Sequence, residues 1–294
     1  ILIFSRDYRG AEMRTLEDFQ YGRFETSLKA GQGDGFLSSF FTYNDSIGTE
    51  WTEIDFEILG RWSNNIDLNV IDENGSHLRQ SPVFQNIHLD FHTYAFEWTP
   101  DYVAWFLDGE QLYIQTGEHI TDLAEPSKLM MNIWNPSFSD WVGVWDARIL
   151  PRFARYDWAS YAAYTPGSGS VGTDNQFTPQ WLDNFDTYDT TRWEKSHDHT
   201  WNGNLALFIR ENVVFEDGNM ILCLTEENRV GMSDQLQPFG LWATAETRDS
   251  IVVRFSEELD PISASNVGNF HISGIEVISV ELWDDQRTVS LKVS

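Results

Sequence analysis

Residues Glu53-Ile54-Asp55-Phe56-Glu57 alternate three carboxylates with two large apolar side chains. A period of two marks a half-buried β-strand, because successive side chains leave a strand on opposite faces. All three acids therefore share one face, and Ile54 and Phe56 share the other. Ionised carboxylates at neighbouring same-face positions repel, so a strand serving stability alone would not collect them. Chemistry that needs one carboxylate charged while another keeps its proton would. Cleavage of a glycosidic bond with retention of configuration is chemistry of that kind. The plain alternative is a solvated acidic strand in an acidic protein.

Outward from this stretch the same alternation recurs. Gly22-Arg23-Phe24-Glu25-Thr26-Ser27-Leu28-Lys29, Tyr94-Ala95-Phe96-Glu97-Trp98 and Val103-Ala104-Trp105-Phe106-Leu107 all read as strands, and Asp108-Gly109 signals a hairpin. The only helical pattern lies around Asp122-Leu123-Ala124, and Pro126 cuts it short. The chain reads as all-β, most simply a two-sheet sandwich. Residues 165–175, from Thr165-Pro166-Gly167-Ser168-Gly169-Ser170 onward, have linker composition. From about residue 240 the style changes, with Ile251-Val252-Val253-Arg254-Phe255 and Val280-Glu281-Leu282-Trp283 as the clearest strands.

Composition narrows the partners. A length of 294 residues suggests about two domains. Forty-six acids against 19 bases give a net charge of -27, which disfavours nucleic acid, anionic membranes and sulfated polysaccharides. No apolar run reaches the ~18 residues of a membrane span. Cys223 is the single cysteine, so no disulfide forms within the chain, and its setting in Ile221-Leu222-Cys223-Leu224 reads as a buried strand. Thirteen tryptophans suit a cleft that stacks on sugar faces, although a sandwich core is the other home for such rings.

With its flanks, Thr49-Glu50-Trp51-Thr52 before and Ile58-Leu59-Gly60 after, the acidic strand resembles the active-site strand of glycoside hydrolase family 16, in its lichenase form. Further stretches are similar: Phe19-Gln20-Tyr21-Gly22-Arg23-Phe24-Glu25, His92-Thr93-Tyr94-Ala95-Phe96-Glu97-Trp98 and Met130-Met131-Asn132-Ile133-Trp134-Asn135. Residues 1–164 resemble the later part of such enzymes. Residues 176–237, with Trp193-Glu194-Lys195, Trp201-Asn202-Gly203-Asn204 and Asp217-Gly218-Asn219-Met220, resemble their amino-terminal strands. The resemblance thus implies a circularly permuted jelly-roll (concanavalin-like) sandwich over 1–237, with 165–175 joining the old ends. Residues 238–294 resemble a short immunoglobulin-like accessory module.

The resemblance implies Glu53 as nucleophile, Glu57 as general acid/base and Asp55 between them. No residue is inserted between Asp55 and Glu57, a pattern that favours the lichenase-like branches. Trp51, Trp134 and Trp141 are implied sugar-stacking residues. Glu12, Arg14, Phe41, Tyr43, Asn132 and Asn204 match further substrate-binding positions. A structural calcium ion is implied, held by Asp157 and the backbone oxygens of Asn184 and Gly218; oxygen ligands suit that ion. The implied activity is endo-hydrolysis of a neutral mixed-linkage 1,3-1,4-β-glucan by a secreted monomer. A 1,3-β-glucanase, a galactan hydrolase and a non-catalytic glucan-binding lectin are the alternatives.

Overall fold

The computed structural model describes residues 7–44, 50–232, 240–255 and 259–294. The chain divides into two compact units, residues 1–233 and 234–294. The first unit begins with β1 (Tyr8–Phe19), β2 (Gly22–Lys29), β3 (Leu37–Tyr43), β4 (Glu53–Leu59) and β5 (Asn65–Asp72). It continues with β6 (Gly75–Ser76), β7 (Arg79–Pro82), β8 (His92–Trp98), β9 (Tyr102–Leu107), β10 (Glu110–Thr116), β11 (Ser127–Trp134) and β12 (Arg152–Tyr164). After the Gly/Ser stretch come β13 (Phe177–Asp183), β14 (Trp193–Lys195), β15 (Ala206–Phe208), β16 (Val213–Glu216) and β17 (Asn219–Glu226).

These strands build a jelly-roll sandwich of two curled sheets. One sheet runs β14-β1-β11-β3-β4-β5, with β6 and β7 both on β5. The other runs β12-β2-β8-β9-β10; β13 and β17 share the far side of β12, and β16 lies on β17. The start of β1 also pairs with β15 in parallel and with β17. Strands from after residue 175 are therefore hydrogen-bonded into both sheets. The β9–β10 hairpin turns at Asp108 and Gly109, both with positive φ (51° and 83°). That is the backbone a two-residue turn needs to match strand twist. The helical pattern near Asp122 forms one turn slightly earlier, α1 (Glu118–Thr121).

Aromatic packing between the sheets makes the core. Ile54, Phe56 and Ile58 of β4 are fully buried. Phe96 of β8 lies 5.6 Å from Phe40 of β3, and 6.5 Å from Phe56, ring centre to ring centre; it stacks on Phe24 of its own sheet at 5.0 Å. Two hydrogen bonds cross the core as well: Trp105 Nε1 donates to the Asp55 carbonyl (3.0 Å) and Tyr156 OH to the Ser39 carbonyl (2.9 Å). Each satisfies a buried polar group that would otherwise cost about 1–3 kcal/mol.

The Gly/Ser stretch is held in place at several points. Thr165 N donates to Gln176 O, and both Ser170 N and Val171 N to Phe177 O. Thr173 N donates to Glu97 Oε1 (2.9 Å). Glu97 is fully buried and also accepts from Arg23 Nη1 (2.9 Å) and Tyr102 OH (3.1 Å). Gly172 has φ +72°, and a Cβ there would lie 2.5 Å from the Phe177 ring and 2.7 Å from Glu97 Oε1. Only glycine fits.

The second unit is a four-stranded antiparallel sheet of β18 (Gly240–Thr247), β19 (Ser250–Phe255), β20 (Val277–Leu282) and β21 (Thr288–Val293), in the order β18-β19-β21-β20. Val289, Leu291 and Val293 anchor its own core with Leu259 and Ala264, the last from a short helix, α2 (Pro261–Ala264).

Removing everything after Tyr164 strips β14 from β1 and both β13 and β17 from β12, leaving bare edges. It also removes the buried Phe177, Phe185, Trp193, Met220, Leu222 and Leu224. Each contributes about 1.5–3 kcal/mol, against a net domain stability of about 5–15 kcal/mol. A fragment ending at Tyr164 is expected to be insoluble or unfolded by circular dichroism. A soluble fragment with cooperative melting would show that the later strands are dispensable.

Candidate active site

The site is built on the face of β4 that turns away from the core. β4 pairs with both neighbours without a register break. Residues directly opposite in an antiparallel pair share a face. Glu53 therefore stands between Tyr43 on β3 and Ile71 on β5; Asp55 between Phe41 and Asn69; Glu57 between Ser39 and Asp67. The rows extend across the sheet. Beyond Phe41 come Met130 on β11 and Arg14 on β1; beyond Ser39 come Asn132 and Glu12. The three expected acids and five of the expected binding residues thus converge on one surface. The core-side bond from Trp105 to the Asp55 carbonyl holds the middle of this strand.

Electrostatics separate the carboxylates. Burial, then the charges of Glu53 and Asp67, hold Glu57 well above the usual carboxylate range. Burial, then the charges of Glu53 and Glu57, raise Asp55. Glu53 is pushed up to about 7, mainly by burial, while hydrogen bonds from Trp51 and Asp55 pull it down. Trp51 Nε1 donates to Glu53 Oε2 at 2.7 Å. An Asp55 that keeps its proton can donate it toward Glu53, favouring the Glu53 anion. The cluster thus favours protons on Glu57 and Asp55, while Glu53 receives hydrogen bonds that favour its anion.

The remaining expected residues fall into distinct settings. Glu12 is buried, accepts from Ser196 Oγ (2.7 Å) and faces Asn132 Nδ2 at 3.4 Å. Arg14 pairs with Glu194 at 3.1 Å. Trp51 is 49% exposed, its ring edge-on to Tyr43. Trp134 is only 8% exposed, packed edge-on against Trp201 (4.8 Å) in a cluster with Leu37, Leu59, Val142 and Phe208. Trp141 sits in a helical turn, Ser139–Val142, rather than a plain loop, and its Nε1 donates to Asp67 Oδ2 at 2.9 Å. Asn204 is fully buried and bridges to Pro136; its Oδ1 accepts from Ala206 N.

Several residues at the site were not singled out from sequence. Asp67 continues the alternation in Asn65-Ile66-Asp67-Leu68-Asn69, so pairing β5 with β4 would have found it. Ser196 arrives from beyond residue 175, and nothing local marks it; Trp201 lies in the Trp201-Asn202-Gly203-Asn204 stretch that carries the resemblance.

The three residues expected at a calcium site flank a gap in pairing. β12 pairs with β17 up to Tyr156↔Met220 and with β13 from Ala159↔Asp183. Asp157 lies in that gap, exposed, at a bulge against β2 between Tyr156 and Trp158. Gly218 lies two residues beyond Met220 and Asn184 one beyond Asp183. A donor set of one carboxylate with backbone oxygens would suit a hard cation. Among the described residues no cluster of three or more His, Cys, Asp or Glu could hold a metal by side chains alone. Cys223 is fully buried and its thiol is pushed up to about 12 by burial, so it is no nucleophile.

A jelly-roll sandwich bearing a row of buried carboxylates of raised proton affinity on one face has the groups that glycoside hydrolysis requires. The sequence profile of glycosyl hydrolases family 16 matches residues 1–160, and the chain belongs to that family. It is 36% identical over 242 residues to a β-glucanase of Fibrobacter succinogenes, covering 80% of this chain and 68% of that protein. With a β-glucanase of Paenibacillus macerans it shares 36% identity over 156 residues, 52% of this chain and 64% of that protein, so it spans just under two thirds of that relative. Among solved structures, a Bacillus licheniformis β-glucanase aligns at 30% identity with a TM-score of 0.49, covering 52% of this chain and 77% of that one.

The raised proton affinities carry a stability signature. A carboxyl whose folded pKa lies above its unfolded value, about 4.3 for Glu, gives full stability below that value and loses it as pH rises through the folded one. For Glu53 that window runs from about 4.3 to about 7, and Glu57 loses stability in the same direction. Glu57→Gln, which never ionises, is therefore expected to melt at a higher temperature than wild type at pH 8. The gap should close toward pH 4. Thermal melts at pH 4, 6 and 8 check this; a pH-independent gap would show that Glu57 is not held protonated.

Proposed function

We propose that this chain is a retaining endo-β-glucanase that cleaves neutral mixed-linkage 1,3-1,4-β-glucan. The carrying observation is the unbroken β4, which presents Glu53 and Glu57 on one face with different proton affinities. In the first step Glu57 gives its proton to the glycosidic oxygen while a Glu53 oxygen bonds the anomeric carbon and the glycosidic bond breaks. In the second, Glu57, now a carboxylate, takes a proton from water as the water oxygen attacks and Glu53 leaves. Two Glu side chains, four residues apart on a curled strand, supply the reach for a carboxyl separation of about 5–5.5 Å.

The surroundings suit a sugar. Exposed Trp51 and half-buried Trp141 offer ring faces, and Trp134 a remaining edge. Asn132 Oδ1, Asn204 Nδ2 and both side-chain polar atoms of Asn135 are buried with no hydrogen-bond partner among the described residues, which suits hydroxyl groups. The relatives compared are β-glucanases by name. A polysaccharide substrate does not cross membranes, so the enzyme works outside the cell, and no described helix is long and apolar enough to span a membrane.

The reading extends to chain order. The match to the Fibrobacter relative spans 242 residues, whereas that to the Paenibacillus relative spans 156. Together with the pairing of β14 and β17 onto β1 and β12, this supports a circular permutation, with residues 165–175 joining former ends. Permutation is tolerated where termini lie at the surface. Calcium fits the same scheme: Asp157 with the Asn184 and Gly218 carbonyls would hold the ion and tie β12 to segments from beyond residue 175.

Glu53→Ala is expected to lower turnover of barley glucan by at least about a thousandfold, or ~4 kcal/mol, while leaving the fold intact. Azide should restore turnover and yield an α-glycosyl azide. Retention of more than about a tenth of the activity, under ~1.4 kcal/mol, would remove Glu53 from the nucleophile role. Product analysis on barley glucan, lichenan, laminarin and agarose tests the substrate; binding without cleavage on all four would make the protein a lectin.

For calcium, binding to the folded state alone raises stability by mass action. A chelator and Asp157→Ala are both expected to lower the melting temperature while leaving activity at low temperature nearly unchanged. An unchanged melting temperature in both would dispose of the site. Loss of activity without unfolding on chelation would place the ion at the carboxylates instead.

A further inference from the structure

Asp67 has no part in the reaction as described, yet it is the side chain directly across the β4–β5 pair from Glu57. It is 1% exposed, and both of its oxygens are engaged. Trp141 Nε1 donates to Oδ2 at 2.9 Å and Gln80 Nε2 to Oδ1 at 3.1 Å. Neither nitrogen can accept a proton. A protonated Asp67 would have to turn its O–H toward an N–H group and lose one of the two bonds. Burial raises the Asp67 carboxyl somewhat above the usual carboxylate range, and these two donors pull it back toward the anion.

The groups that face Glu57 are few. On its own strand they are Asp55 and Glu53. From β5 comes Asp67, from β3 the neutral Ser39. Farther along the same row stand Asn132 and then Glu12. Arg61, just past β4, spends Nη1 on the carbonyls of Asp140 and Trp141 (3.2 and 3.1 Å). Among the described residues no ion pair to Glu57 or Asp67 is formed. The two charges that raise the proton affinity of Glu57, those of Glu53 and Asp67, are both negative, and they differ in one respect. Glu53 loses its charge when it forms the glycosyl ester; Asp67 keeps its own throughout.

We infer that Asp67 is a positioning residue for Glu57: its fixed negative charge keeps the proton on Glu57 before the first step and keeps Glu57 basic for the second. This rests on the reading of Glu57 as acid/base. The same carboxylate fixes the Trp141 ring, so the stacking surface and the acid share one anchor.

The test compares the pH dependence of kcat/KM on soluble barley glucan for wild type, Asp67→Asn, Gln80→Met and Glu57→Gln. Asn can still accept from Trp141 but carries no charge. Its alkaline limb is expected to move down by about one pH unit. Gln80→Met, at an exposed position, leaves Asp67 with one donor fewer and should move the limb the same way by less. Limbs that stay at the wild-type pH in both variants, or in Gln80→Met if Asp67→Asn does not fold, overturn the inference and make Asp67 merely structural. Glu57→Gln separates this from the underlying reading. It should fail on glucan yet release a burst of dinitrophenolate from an activated aryl β-glycoside, which needs no acid. If it instead cleaves glucan like wild type, Glu57 is not the acid and the inference falls with it.

Discussion

The structure depends on the two faces of β4 carrying opposite demands. One face holds three carboxylates whose proton affinities are raised, chiefly by burial, a destabilising arrangement. The other holds Ile54, Phe56 and Ile58, all fully buried, and each contributes about 1.5–3 kcal/mol. The apolar face offsets the strain of the acidic one. Because side chains alternate strictly, neither face can shift without exchanging places with the other, so the register of the strand is fixed by the core. The acids are thereby held in position by residues that never touch substrate.

The second sheet converts that position into a rigid one. Phe96 packs against both Phe40 and Phe56, and Trp105 reaches through the core to the Asp55 carbonyl. Tyr156 does the same for Ser39, the neighbour of Glu57. A catalytic constellation must be held to a fraction of an ångström to be effective. Here the fixing bonds come from behind the strand, which leaves the cleft face free for ligand. Strands from beyond residue 175 contribute to the same end, since β14 and β17 complete β1 and β12 and bring Ser196 onto Glu12.

Like charges organise the site. In most proteins a row of carboxylates would be relieved by lysine or arginine. Here the relief comes from neutral donors: Trp51 on Glu53, Trp141 and Gln80 on Asp67. Such donors stabilise particular anions without neutralising the field that keeps Glu57 protonated. The indoles serve twice, because the ring that donates through Nε1 also presents an apolar face. This family 16 glycoside hydrolase thus couples its aromatic surface to its titrating groups through single hydrogen bonds.

Much of this was legible in the chain itself. The alternation in residues 53–57 alone dictates a strand, a shared acidic face and the division between core and site, because a period of two is a local property. The Asp108-Gly109 hairpin and the buried character of Cys223 are local for the same reason. What sequence reading left open was everything set by register between distant strands. Asp67 became a neighbour of Glu57 only when β5 was paired with β4, and Ser196 a partner of Glu12 across 184 positions. Trp134 looked like a free stacking ring, but the fold brought Trp201 and Phe208 against it and left 8% of it exposed. Linker composition said nothing of the buried Glu97 that holds Thr173. Local pattern determines which way a side chain faces. Which side chains it then meets depends on pairing and packing between segments far apart in sequence, and those are decided only when the two sheets close on a common core.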